Sequence, residues 1–354
     1  MGLPITAVVM AGGAGTRFWP ASRRGRPKQV LDLASMGRSM LADTIARIRP
    51  LAARILVVTT EELVPVLRAD LPDLPPEAFL AEPVGRNTAP CIGLAAIHAA
   101  RRGPTVLAVL PADHHVADPE AFRAAIATAA RSAETGSLVT LGIAPTRPET
   151  GYGWLEVGEA VSQGVHRLTR FVEKPDRARA EAFLADGNHL WNAGTFVFRA
   201  DKILDAMARH LPKVHDGLVD LTMALADSTS GEKRLRAKVY ASFESISIDV
   251  GVMEKVTDGL VVPCACGWSD VGSWAAAWEL AAKDVDGNAG VTVAVDARGN
   301  LVHAPAGKVV AVLGASDLVV VDTGDAILIL PRERSQEVRA VVAALEKAGK
   351  KDLL

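Results

Sequence analysis

Ile5-Thr-Ala-Val-Val-Met-Ala11-Gly-Gly-Ala-Gly-Thr-Arg17 is the stretch from which the fold is read. Its first seven residues form a short apolar run ending in glycines, the pattern of a buried strand. Gly12, Gly13 and Gly15 follow directly. Glycine tolerates positive φ and lets backbone N–H groups approach an anion closely. Thr16 adds a hydroxyl and Arg17 a fixed positive charge. No Gly-Lys-Ser/Thr closes the loop, so it is not a Walker A motif, and Phe18 stands where a dinucleotide fingerprint needs its third glycine. Alone, the loop reads equally well as a tight turn. Arg17, Arg23, Arg24, Arg26 and Lys28 then place five cations within twelve residues. A solvated basic face is their plainest explanation, yet a triphosphate carries about four negative charges and this density matches it.

Outward from that loop, strands and helices alternate. Arg54–Thr59 and Thr105–Leu110 read as further buried strands. Helical spacing predicts helices over residues 40–48, with Ser39 as N-cap, over 61–69, where Pro65 demands a late start or a kink, and over 89–100 and 119–130. This alternation predicts an α/β fold, a Rossmann-like mixed and mainly parallel sheet flanked by helices on both faces. Ligands in such sheets lie beyond the carboxyl ends of the strands. The glycine loop and Pro111-Ala-Asp-His-His115 fall there. The middle is less regular, with strands at 138–143, 168–173 and 192–199, the loop Glu149-Thr-Gly-Tyr-Gly-Trp154, and mostly helix from Leu204 to about Lys238. After Asp284 short strands separated by Gly, Asn and Asp turns predict a small all-β module, closed by a helix over 333–347; its expected form is left-handed β-helix-like. The expected division is a catalytic domain over 1–284 and this module over 285–354.

Bulk properties exclude several classes. The 354 residues exceed one small core. A net charge of −2 without a long basic block argues against a nucleic-acid-coating protein. Cys91, Cys264 and Cys266 are too few for a disulfide framework, and the alternating Cys264 and Cys266 read as core residues facing one side of a strand. The start lacks a charged leader before an apolar region, and no apolar run approaches the roughly 18 residues of a membrane span. A cytoplasmic protein without membrane or nucleic-acid partners is expected.

Ala11-Gly-Gly-Ala-Gly-Thr-Arg-Phe-Trp-Pro-Ala-Ser-Arg23 through Pro27-Lys-Gln29 resembles the opening signature of the mannose-1-phosphate guanylyltransferases. Six further stretches resemble that family in the same order: Ala81-Glu-Pro-Val-Gly-Arg-Asn-Thr-Ala-Pro90, Leu110-Pro-Ala-Asp-His-His115, Phe171-Val-Glu-Lys-Pro175, Trp191-Asn-Ala-Gly194, Ser247–Glu254 and Gly267-Trp-Ser-Asp-Val-Gly272. The segment from Leu318 to Gln336 fits as well. Phe18 departs from the more usual Leu. Long bacterial members carry an added isomerase module after the β segment, so the resemblance is to the short, single-activity form.

The resemblance implies attack by the phosphate oxygen of mannose 1-phosphate on the α-phosphorus of GTP. That nucleophile is already anionic and needs no general base, so alignment and charge neutralisation should carry catalysis. Ala11, Gly12, Gly13, Gly15 and Thr16 would cradle the nucleotide, Arg17 would steady the leaving pyrophosphate and Lys28 would contact the triphosphate. Asp113, just past a strand end, and Asp270, in a glycine-bounded loop, suit a hard cation such as Mg²⁺; turn or N-cap roles are the alternative. His114 and His115 point opposite ways on extended chain and read as structural. Glu82, Arg86, Asn87 and Thr88 lie in the turn before a helix. Glu82 could accept from both guanine N1–H and N2–H, or cap the helix. Glu173, Lys174 and Asn192 would hold the sugar phosphate, with Gly153 and Gly194 allowing backbone approach and Asp249 binding sugar or capping. Trp154 and Trp191 read as packing. Competing functions are a silent nucleotide-sugar sensor and a guanylyltransferase for another sugar such as a heptose; the missing glycine disfavours a nicotinamide oxidoreductase. Exposed edges of the β module predict a homodimer.

Overall fold

The computed structural model describes residues 2–13, 15–33, 37–225 and 232–354. Ala14 of the glycine loop and residues 226–231 of the expected 204–238 helical span lie outside the described residues. Strands β1 (Ile5–Met10), β2 (Arg54–Thr60), β3 (Phe79–Glu82) and β4 (Val106–Pro111) are mutually parallel, in the order β3-β2-β1-β4. A two-residue strand β5 (His115–Val116) leaves this sheet. The sheet continues through β6 (Val139–Ile143), β7 (Trp154–Ser162), β8 (Val165–Val172), β9 (His189–Arg199) and β10 (Leu260–Pro263), with full order β3-β2-β1-β4-β9-β6-β10-β8-β7. There β9 runs antiparallel between β4 and β6, so a parallel half meets a mixed half.

Side-chain alternation makes the sheet two-faced. Ala7 and Val9 of β1, with Val106, Ala108 and Leu110 of β4, join one core with helices α1 (Met40–Ile48) and, later in the chain, Pro119–Glu134. Val8, Leu107 and Val109 face the opposite core, under the helix Thr88–Ala100. Local signals set the helix starts. Ser39 caps α1 by accepting from the Ala42 N–H, and Asp118 caps Pro119–Glu134 by accepting from Glu120 and Ala121. Pro65 delays its helix to Val64–Asp70, because proline is tolerated only in the first turn.

Within the nine-stranded sheet, two strands escape the sequence pattern. Residues 79–82 lie between prolines and are too short to show a period, yet they form β3. The segment 154–162 has a buried start and an exposed outer half, so its alternation is diluted; it is the sheet-edge strand β7, paired with β8. Cys264 and Cys266 do enter one core together, but just beyond the end of β10.

A short ribbon pairs β5 with β11 (Trp268–Ser269), in antiparallel register with Ser269 opposite His115. That pairing carries the next residue, Asp270, toward Asp113. Beyond it, β12 (Val293–Val295) pairs in parallel with β14 (Ala311–Leu313), and β13 (Leu301–His303) with β15 (Leu318–Asp322); β16 (Ile327–Pro331) returns antiparallel to β15. In both parallel pairs the matched residues are 18 apart in the chain, the repeat of a coil stacked on itself. The closing segment begins as a 3₁₀ turn, Arg332–Glu337, and becomes α-helix only over Val338–Lys347.

Buried asparagines tie the coils together. Asn288 Oδ1 accepts from the N–H and the side-chain amide of Asn300, and Asn300 in turn accepts from Leu318 N–H and donates to the Ala315 carbonyl. The hydrophobic side of the module is not its own. Leu301, Val319, Val321, Leu328 and Val338 share one core with Phe18, Trp19, Leu31 and Trp274. The texture change near residue 284 therefore does not divide the packing. Asn300→Ala should lower unfolding stability by about 3 kcal/mol, because it strands several buried partners. Urea denaturation measures this, and a change within about 0.5 kcal/mol would contradict the ladder.

Candidate active site

The glycine loop leaves β1 at Ala11, whose N–H donates to the Val58 carbonyl and whose carbonyl accepts from Thr59 Oγ1 at 2.7 Å. Gly12 and Gly13 are exposed beyond the strand end, where an anion can reach their backbone. Gln29 Nε2 donates to the Gly13 carbonyl at 3.0 Å. Gly15 has φ 61°, and a Cβ there would sit 2.4 Å from Lys28 Cβ. The loop thus turns directly over Lys28, which only glycine permits. Exposed Thr16 stands at the start of a 3₁₀ turn, and its half-buried successor Arg17 donates through Nη1 to Gln336 Oε1 at 3.0 Å.

Lys28, expected at the triphosphate, is turned toward the two acidic segments. It is only 6% exposed, and its Nζ donates to the Asp113 carbonyl at 3.0 Å, Asp113 Oδ2 at 2.9 Å and the Asp270 carbonyl at 2.8 Å. An ammonium has three donors, and all three are engaged. Lys28 therefore acts as a strut joining the two acidic segments. Burial alone would push the Asp113 carboxyl up, but the Lys28 charge, with smaller help from its neighbours, outweighs it and holds the group below the usual carboxylate range. His114 accepts at Nδ1 from Trp268 Nε1, which leaves its proton on Nε2. Burial pushes its pKa down, so it sits neutral beside the acids.

Asp270 receives the Tyr152 hydroxyl on Oδ1 at 2.6 Å. Gly272 follows two residues later, where a Cβ would come 2.7 Å from Asp270 Oδ2. Between them Val271 holds φ 43°, a left-handed backbone that is strained for a β-branched residue and clusters at functional sites. Asp113 Oδ1 and Asp270 Oδ2 keep no side-chain partner among the described residues. Two such oxygens fit a hard cation that takes its other ligands from phosphate and water. No group of three or more His, Cys, Asp or Glu able to hold a metal occurs among the described residues.

A second acidic cluster gathers the residues assigned to the sugar. Asn192 donates through Nδ2 to Asp249 Oδ1 at 2.9 Å, and its Oδ1 accepts from Thr140 Oγ1 and from Gly194 N–H. Lys174 pairs with Glu173, whose N–H donates to Glu254 Oε1. A Cβ on Gly153 would lie 2.8 Å from Glu173 Oε2, and Gly194 has φ 64° against Pro111 and His114. Burial first, then the Glu173 charge, pushes the Asp249 carboxyl up to about 6. Its N-cap alternative falls to Ser247, which caps the short helix Ile248–Gly251. Trp154 and Trp191 pack together as expected.

The 82–88 run is where the structure differs most. Glu82 is not in a turn but ends β3, 4% exposed, with its carboxyl beside Tyr240. Burial pushes it up to about 8, so at neutral pH it carries a proton and cannot be a double acceptor for guanine. Arg86 donates to the Tyr240 and Ala241 carbonyls and so ties down the end of the helix Glu232–Ser242. Asn87, at φ 69°, caps the helix that starts at Thr88, and Thr88 Oγ1 accepts from Ile248 N–H. All three tie this segment to its neighbours.

An open cavity of about 660 Å³ joins the parts, lined among others by Arg17, Tyr152, Lys174, Asp270, Gln336 and Arg339. No individual role is read from the sequence for Tyr152, Gln336 or Arg339. Their signal is spatial, since Gln336 meets a loop 319 residues away.

Residues 6–287 match the family model described as Nucleotidyl transferase, and residues 290–345 one described as MannoseP isomerase/GMP-like beta-helix domain. The xanthan biosynthesis protein XanB of Xanthomonas campestris pv. campestris is 42% identical, covering 98% of this chain and 74% of its own. A mannose-1-phosphate guanylyltransferase of Escherichia coli is also 42% identical, over 96% of this chain and 74% of its own. A solved structure described as a mannose-1-phosphate geranyltransferase from Thermus thermophilus superimposes with a TM-score of 0.87 at 39% identity, covering 97% of this chain and 100% of that one.

The Asp249 shift predicts a pH effect. Between about pH 4 and 6 the folded chain keeps a proton that the unfolded chain has lost, so folding stability falls as pH climbs through this window. Asp249→Asn removes that cost. It should exceed the parent in stability by about 1–3 kcal/mol at pH 8 and match it near pH 4. Urea denaturation at both pH values checks this, and an equal difference at both would contradict it.

Proposed function

The chain belongs to the nucleotidyl transferase family, and on that premise we propose that it transfers GMP from GTP to α-D-mannose 1-phosphate, releasing pyrophosphate and giving GDP-mannose. One observation carries the reading. Relatives named mannose-1-phosphate guanylyltransferase match nearly the whole chain at about 40% identity.

A phosphate oxygen of the sugar phosphate bonds to the α-phosphorus as the bond from that phosphorus to the pyrophosphate oxygen breaks. The nucleophile is already charged, so no side chain need remove a proton. The obstacle is repulsion between two polyanions. Backbone N–H groups of Gly12, Gly13 and Gly15 would face the nucleotide phosphates. Arg17, held by Gln336, would take charge developing on the pyrophosphate. Lys28 would act through the acids, keeping Asp113 ionised and its backbone joined to that of Asp270. These two carboxylates would hold Mg²⁺, which when bound neutralises phosphate charge and orients the phosphorus. Glu173, Asn192 and Asp249 would fix the sugar hydroxyls, with Lys174 on its phosphate.

Assembly belongs to the same reading. Val293 and Val295 on β12, Leu313 on β14, and Ile327 and Ile329 on β16 are exposed, and they supply an apolar surface for a homodimer. No described helix is long and apolar enough to cross a membrane, and we assign the enzyme to the cytoplasm.

Pyrophosphate release should be measured over four nucleoside triphosphates and several sugar 1-phosphates, with and without Mg²⁺. Turnover should peak with GTP and mannose 1-phosphate and collapse without the metal; a peak with another pair would overturn the substrate assignment. On the same grid Glu82→Gln, a neutral isostere of the protonated acid, should keep the preference for GTP over ATP. Loss of that preference would return Glu82 to base selection. Light scattering should give a dimer for the parent and a monomer for Ile327→Glu/Ile329→Glu, whereas a monomeric parent at micromolar concentration would refute the interface.

A further inference from the structure

Tyr152 sits where the two halves of the site meet, and nothing in its sequence context announces that position. Its ring is packed edge-on between Trp191, at 5.3 Å, and Trp268, at 5.4 Å. Trp268 in turn donates to His114, the neighbour of Asp113. The backbone around Tyr152 is tied to the sugar cluster on both sides: its own carbonyl accepts from Lys174 N–H at 3.2 Å, and the Gly153 carbonyl accepts from Asn192 N–H at 2.8 Å. From this fixed ring the hydroxyl donates 2.6 Å to Oδ1 of Asp270.

A carboxylate beside a metal can rotate, bind through either oxygen, or turn away. We propose that Tyr152 is a positioning residue for the metal: by holding Oδ1 of Asp270 it presents Oδ2, beside Gly272, as the ligand atom. The inference rests on the reading of Asp113 and Asp270 as the Mg²⁺ ligands. Two features support it. The bond is short and charge-assisted, so it resists rotation of the carboxylate. The absent side chain of Gly272 leaves the space on the Oδ2 side open. Partners of metal ligands that act in this way are worth about 10–100-fold in metal affinity.

The test is Mn²⁺ binding followed by electron paramagnetic resonance in the presence of GTP, with no sugar phosphate so that no turnover intervenes. Tyr152→Phe keeps the ring and its packing and removes only the donor. It should weaken Mn²⁺ binding by about 10-fold or more, while GTP affinity measured in EDTA stays within about twofold of the parent, as expected of an intact fold. Asp270→Asn, measured alongside, should weaken Mn²⁺ at least as much. If Asp270→Asn weakens the metal and Tyr152→Phe does not, the positioning role is overturned and the ligand assignment stands. If Asp270→Asn and Asp113→Asn both bind Mn²⁺ like the parent, the ligand assignment itself fails and the inference falls with it.

Discussion

The Lys28 ammonium directs its three N–H bonds at the Asp113 carbonyl, the Asp113 carboxylate and the Asp270 carbonyl. Its acceptors lie 85 and 242 residues away along the chain. A buried ammonium is costly unless each donor is met, and here each is. The arrangement brings two acidic segments together and keeps Asp113 charged against the pull of burial. It also sets the shape of the glycine loop, because Gly15 must cross Lys28 at a distance no side chain allows. The glycine loop and the acidic pair are two sides of one buried cation.

Behind the loop stands the β module. Phe18 and Trp19 complete its hydrophobic core, Trp19 Nε1 donates to the Leu353 carbonyl, and Trp274 Nε1 donates to the Trp19 carbonyl. Arg23 makes a paired contact with both oxygens of Asp325 and a further bond to Thr323. Arg17 reaches Gln336. The cations crowded after the glycines therefore do different things. Arg17 faces the cavity, Lys28 goes inward as a strut, and Arg23 clamps the module. A module that looks purely architectural in sequence is the support on which the signature loop is shaped.

Much of this was legible in the chain. The apolar run before Gly12, the Ser39 and Asp118 caps and the late start forced by Pro65 are local effects, and local spacing exposes them. Asp113 was legible from its place past a strand end and Asp270 from its glycine-bounded loop, and Glu173, Asn192 and Asp249 do form one cluster. What escaped depends on distant packing. The neutral state of Glu82 follows from burial beside Tyr240, which is remote in the chain, and a sequence shows the carboxyl without its solvent. The charge of Lys28 is visible in the chain, but its three acceptors are not. Tyr152 showed only as part of the Glu149–Trp154 loop, since its partner Asp270 lies 118 residues further on.

The central claim is that Lys28 holds Asp113 ionised from within rather than serving as a free cation for phosphate. The most direct test is a carboxyl-carbon NMR titration of Asp113 in the parent and in Lys28→Met, without nucleotide. The account predicts titration below the usual carboxylate range in the parent. In the variant, with burial no longer opposed by that charge, it should move above that range. Identical titration in both proteins would contradict it.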